Sequence, residues 1–195
     1  MKTARKVLII ALCAVLLVSI SVMGTMAYLT ADDTVTNTFT VGKVAITLDE
    51  AKVNEMGVAD ATVARVDKNT YKLLPGHTYT KDPTIHVDAN SENCWLFVKV
   101  ENGIKDIEDS SNTIAAQMTA QGWAPVAEGS NVYCRTTTNK AGDNVVVFEN
   151  FKVDGAKDAA AINALKDAKI IVTAYAVQAD GFDTAAAAWT AAGLN

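Results

Sequence analysis

Two histidines, His77 and His86, stand nine positions apart, with Asp82, Asp88 and Glu92 close by in the chain. Imidazole and carboxylate are the donors that zinc takes. No His-Glu-x-x-His helix is present, so a metal would have to be assembled from a turn and a strand. The alternative is two ordinary surface histidines beside a turn. Ser110, Ser111 and Ser130 lack the strand-turn-helix setting of an activated nucleophile, and no Gly-rich loop follows a strand to cradle phosphate. The acidic runs Asp32-Asp33 and Asp106 to Asp109 lack the alternating ligands and central Gly of a calcium loop. They read as solvated charge. Cysteine is the remaining reactive residue type, at positions 13, 94 and 134.

The start of the chain decides which cysteines count. Lys2, Arg5 and Lys6 precede the uncharged apolar run Val7 to Val22, and Thr25-x-Ala27 offers small residues to a signal peptidase. We expect an export leader, residues 1–27, cut between Ala27 and Tyr28. Its 16 apolar residues fall short of the roughly 20 that span a bilayer. Cys13 lies inside the leader behind Leu12, not behind the small residue that lipidation requires. Cutting after Ala27 leaves 168 residues, one domain's worth, with 14 basic against 22 acidic residues and a charge of −8. Such a surface argues against nucleic acid and anionic membranes, both of which need clustered Lys or Arg. In an exported chain Cys94 and Cys134 can form a disulfide, stabilising by roughly 4 kcal/mol on the chain-entropy model, or remain two separate buried thiols.

The elements that would position these groups follow from hydrophobic period. In Thr34 to Val41 the residues Val35, Phe39 and Val41 share one side and four threonines the other, as in a half-buried strand. The apolar phase then moves to Val44, Ile46 and Leu48, through either a Gly42-Lys43 hairpin or a bulge at Gly42. Asp49 to Lys68 reads as a polar excursion or loosely formed strands. Further strands are expected at Thr84–Val87, Cys94–Glu101, Val132–Arg135, Asn144–Val153 and Ala168–Gln178. The last is apolar on both faces, which places it in the middle of a sandwich. Short helices are expected from a Ser111-Asn112 cap through Trp123, over Asp158 to Asp167, and over Asp183 to Ala192. Trp123, Trp189 and Tyr133 can line a sugar-binding face or pack in a core. Trp95 and Phe97 can be covered by the N-terminal strand or by the tail.

The run Gly24 to Thr30, then Asp32-Asp33, then Asn37 to Val44, resembles the N-terminal signature of the TasA/camelysin family of Gram-positive secreted proteins. Lys72 to Asp82 is similar to that family's Pro-Gly-x-x-x-x-Lys-Asp turn before a strand. The resemblance implies an antiparallel β-sandwich, often a jelly roll, over residues 42–195, and cleavage by a signal peptidase of SipW type. It implies a secreted subunit of biofilm-matrix or cell-surface fibres, in which residues 28–41 of one copy complete the sheet of the next or of a related matrix subunit. Membrane contact is expected only before cleavage, and no cofactor is expected. Camelysin carries a zinc-peptidase label, for which only His77 and His86 are available here. A protease and a monomeric surface binding module stay open as alternatives.

Overall fold

A computed structural model describes residues 42–194 of the chain. The expected leader, the cut between Ala27 and Tyr28, the strand residues Val35, Phe39 and Val41, and the turn or bulge that joins them to Gly42 all involve residues outside that range. Among the described residues no helix is long and apolar enough to cross a membrane.

The fold is mainly β, antiparallel and sandwich-like, with short helices at its margins. One layer is the sheet β5-β6-β4-β9, made of β5 (Trp123–Pro125), β6 (Val132–Arg135), β4 (Cys94–Asn102) and β9 (Ile170–Gln178). The other layer orders β1 (Ile46–Asp49), β3 (Thr84–Val87) and β7 (Asn144–Val146), continued by β2 (Thr78–Thr80) on β8 (Asn150–Lys152). Leu96, Val98 and Val100 of β4 meet Ile85, Val87, Tyr79 and Phe151 across the main core. Trp95 and Phe97 point the other way, into a second cluster, as the alternation along β4 predicts.

The expected strand Asn144–Val153 is instead β7 and β8, and the reason lies in its partner. The same register runs through both pairs, Thr84 against Val146 and Thr80 against Asn150. Between them Val147 N–H donates to Pro83 O and Lys81 N–H to Glu149 O. Pro83 has no N–H to return, and Glu149 N–H donates to the Gln117 side chain instead. One long ladder is therefore interrupted by a proline and a diverted amide.

Helix α1 (Ile114–Ala120) begins later than its sequence suggests. Asp109 Oδ1 accepts from both Ser111 N–H and Ser111 Oγ–H, which holds Ser111 in a turn. Thr113 is the N-cap, accepting from Ala116 N–H. Gly122, at φ +82°, ends the helix, so Trp123 belongs to β5 and not to the helix. There it is buried, and its Nε1–H donates to Val146 O. Helix α2 (Ala159–Ala164) is capped by Asp158 and buries Ile162. Helix α3 (Ala185–Ala191), capped by Thr184, lies over the outer face of the four-stranded sheet. Its Trp189 ring sits 4.9 Å from Phe97 and 5.7 Å from Tyr175.

That helix explains a further difference from expectation. β9 is apolar on both faces, yet among the described residues it lies at the edge of its sheet, not in the middle. Tyr175 and Val177 are apolar because α3 covers them, and Val172, Ala174 and Ala176 because they face the main core. We expect Trp189→Ala to lower stability in urea denaturation by about 2–3 kcal/mol, below the full range for a buried tryptophan because Trp189 is only partly covered. It should also raise binding of an apolar dye to the uncovered face. A change under about 0.5 kcal/mol, typical of surface substitutions, would show that α3 does not close this core.

Candidate functional site

The two histidines do not converge. His77 sits in the turn before β2, its Nε2 2.9 Å from Met56 O and its ring edge-on to Tyr79 at 4.5 Å. His86, on β3, spans two strand neighbours: Nε2 lies 2.9 Å from Asp49 Oδ1 on β1, and Nδ1 lies 2.5 Å from Asn144 Oδ1 on β7. Two of the carboxylates considered with them, Asp82 and Asp88, have partners of their own. Asp82 accepts from Arg65 at 2.8 Å and from Ala51 N–H, and Asp88 accepts from Asn90 N–H. Among the described residues no group of three His, Cys, Asp or Glu could hold a metal ion. In the acidic run, Asp109 pairs with Lys152 at 2.8 Å, and Glu108 accepts from Ile114 N–H at 2.6 Å.

Cys94 and Cys134 do not form the disulfide that export would permit; both thiols are free. Register gives the reason. Cys134 pairs with Phe97 and shares its face of the sheet, whereas Cys94 points into the main core on the opposite face. Burial and the charge of Asp143 push the Cys94 thiol up to about 11, and burial raises Cys134. Neither supplies a thiolate nucleophile near neutral pH.

The aromatic candidates for a sugar-binding face are dispersed. Trp123 is in the core and Trp189 covers the second cluster, where Trp95 Nε1–H donates to Phe182 O. Tyr133 lines a cleft of about 820 Å³ beside α1, shared with Lys105, Lys169, Glu101 and Glu108. Two lysines and two glutamates give it no preferred sign of ligand. Ser110 and Ser130 also line it, and Ser130 Oγ accepts from Val132 N–H.

What stands out instead is backbone. Every residue of β9 pairs with β4, from Ile170 opposite Asn102 to Gln178 opposite Cys94. The flanking bonds Gly103 N–H to Lys169 O and Ala179 N–H to Asn93 O fix the parity of the ladder. Odd-numbered residues therefore bond to β4, and Ile170, Val172, Ala174, Ala176 and Gln178 turn N–H and C=O outward. Among the described residues no strand hydrogen-bonds to that side. The core-facing row Ile170, Val172, Ala174 and Ala176 is only half-buried, and Ile171 is 44% exposed. β1, with its own outer edge unpaired among the described residues, packs Ile46 and Leu48 on the same core. Sequence reading missed this edge because two-sided apolarity says that both faces are covered and nothing about lateral neighbours. Set against protein-family models, curated proteins and solved structures, the chain matches none of them.

The His86 bridge yields a pH signature. Burial works against the imidazolium, but hydrogen bonds to Asp49 and Asn144 outweigh it and hold His86 above its usual 6.5. Burial likewise opposes the Asp49 carboxylate, but bonds from Arg65 and His86 hold it below 3.8. The raised histidine stabilises fully below about pH 6.5 and loses that contribution as pH rises through its folded value; the lowered aspartate loses its own as pH falls below about 3.8. We expect His86→Gln to cost about 0.5–1 kcal/mol, the scale of a partly exposed pair, between pH 4 and 6.5. The gap should close above that window in urea titrations, and a gap constant from pH 5 to 9 would refute the bridge.

Proposed function

We propose that this chain is a secreted structural subunit that polymerises into extracellular fibres by strand addition. The observation that carries the reading is the outward edge of β9, five residues whose N–H and C=O groups point away from β4. An extended segment from another molecule satisfies such a row while its alternate side chains fill the gaps beside it. The segment Thr34 to Val41 is suited to this: eight residues against the nine of β9, with Val35, Phe39 and Val41 on one side. Laid along β9, that apolar row covers the half-buried Ile170, Val172, Ala174 and Ala176.

The geometry of growth follows. Donor and acceptor are different parts of the chain, so the contact is head to tail and produces a filament wherever the rotation does not close. Cleavage after Ala27 frees the donor from an apolar leader, and a mature charge of −8 keeps subunits soluble until they pair. The resemblance of residues 24–44 to the TasA/camelysin signature points the same way.

Protein beginning at Tyr28 should form filaments in negative-stain micrographs. Deleting residues 28–40 should leave a folded monomer. So should Ala174→Pro, which removes an outward N–H and leaves the bonds to β4 intact. Mixing the two defective proteins should give one-to-one dimers by light scattering, because one supplies the donor and the other the edge. Filaments of unchanged length from either variant would defeat the reading.

A further inference from the structure

Two side chains converge on one shielded carboxylate. Glu50, 4% exposed, follows β1 directly and receives Lys81 Nζ on Oε2 at 2.5 Å and Asn69 Nδ2–H on Oε1 at 2.9 Å. The Lys81 side chain is 11% exposed. Asn69 Oδ1 accepts from Val53 N–H at 3.0 Å, and Nδ2 also donates to Ala51 O at 2.8 Å. Tyr71 stands beside the group, its hydroxyl donating to Thr80 O and its ring packed edge-on to Tyr79 and Phe151.

We propose that Lys81 and Asn69 join in an intramolecular isopeptide bond, Nζ to Cγ, formed by the protein itself with Glu50 as proton carrier. Glu50 takes a proton from the Lys81 ammonium, leaving an amine whose lone pair attacks Asn69 Cγ. Charge developing on Asn69 Oδ1 is met by Val53 N–H, an amide donor already in place. Glu50 returns its proton to Nδ2, the Cγ–Nδ2 bond breaks and ammonia leaves, and Glu50 then takes the second proton from the new amide nitrogen. Each atom is accounted for without an oxidant, metal or co-reactant. Amides resist aminolysis in water, but reacting groups fixed side by side gain effective concentrations on the order of 10⁵ M or more.

The other polar contacts lack one part or another of this set. Arg65 bridges Asp49 and Asp82 with no carboxamide on either, and Lys152 meets only Asp109 in the same way. Asn102 donates to Glu108 Oε2, but no lysine bonds to that carboxylate. The new bond would tie residues 50–72 to the junction of β2 and β3, the covalent staple that Cys94 and Cys134 do not provide.

Peptide mapping of the folded protein decides it. Trypsin should leave residues 69–72 attached to 73–99, uncut at Lys81, at a mass lower by about 17 Da, the mass of one ammonia lost when the amide exchanges. Lys81→Arg should abolish the joined peptide while keeping the charge opposite Glu50, and Glu50→Gln should slow its appearance at least 100-fold during refolding. Wild-type protein cut at Lys81, with 69–72 released at its unmodified mass, would overturn the proposal. So would loss of ammonia confined to the Asn102-Gly103 step, where a succinimide has the same mass change.

Discussion

β4 carries apolar side chains on both faces for its first half, and a strand built this way has to be covered twice. Leu96, Val98 and Val100 are covered by the opposing layer together with Ile114 and Met118 of α1. Among the described residues, Trp95 and Phe97 are covered chiefly by the C-terminal helix and the turn before it, with Val126 alongside. The second cover is thin: a seven-residue helix in which four of the first five residues are alanine. Most of its apolar area comes from Trp189, since an aromatic ring buries several times what an alanine methyl can. Everything on the outer face of the sheet, β9 included, depends on that lid.

The opposing layer is held by charge as well as by packing. Residues 50–72 form no regular element beyond the bridges Glu50–Val66 and Val53–Ala59, so their apolar contribution is small. They are fixed instead by Glu50 with Lys81 and Asn69, and by Arg65 between Asp49 and Asp82. A buried ion pair seldom adds net stability over an apolar pair, but losing one partner leaves a charge stranded at several kcal/mol. The Lys81-Asp82 step therefore acts as the joint between the excursion and the sheet. Lys81 reaches to one side for Glu50, and Asp82 reaches Arg65 and the Ala51 amide.

An edge with no neighbouring strand over nine residues, as β9 has among the described residues, is a hazard to a protein, because any extended chain can pair with it. Proteins that do not use such an edge shorten it, bulge it or load it with lysine. β9 between Ile170 and Gln178 contains no charged residue, proline or glycine. Among the described residues its outer backbone is presented on a regular nine-residue run, with an incompletely covered apolar row beneath. A functional edge and an aggregating edge are the same object physically. What separates them is whether a dedicated strand arrives first.

Local pattern carried much of this fold. The period-two alternation of Cys94–Glu101 announced both faces of β4, and Val132–Arg135, Asp158 and the tail helix with Trp189 fell where their apolar spacing and caps placed them. These features are set by residues within a few positions of one another. The outward edge of β9, unpaired among the described residues, the separation of Cys94 from Cys134 and the meeting of Glu50, Asn69 and Lys81 are of another kind. Strand order and the face of a side chain relative to a distant partner depend on loop closures across tens of residues, which leave no period in the sequence. His77 and His86 are close along the chain, but the turn and the strand that carry them gave each its own partners. Sequence thus determined which residues had to be covered; only the packing of the layers decided which backbone was left uncovered and which polar groups met.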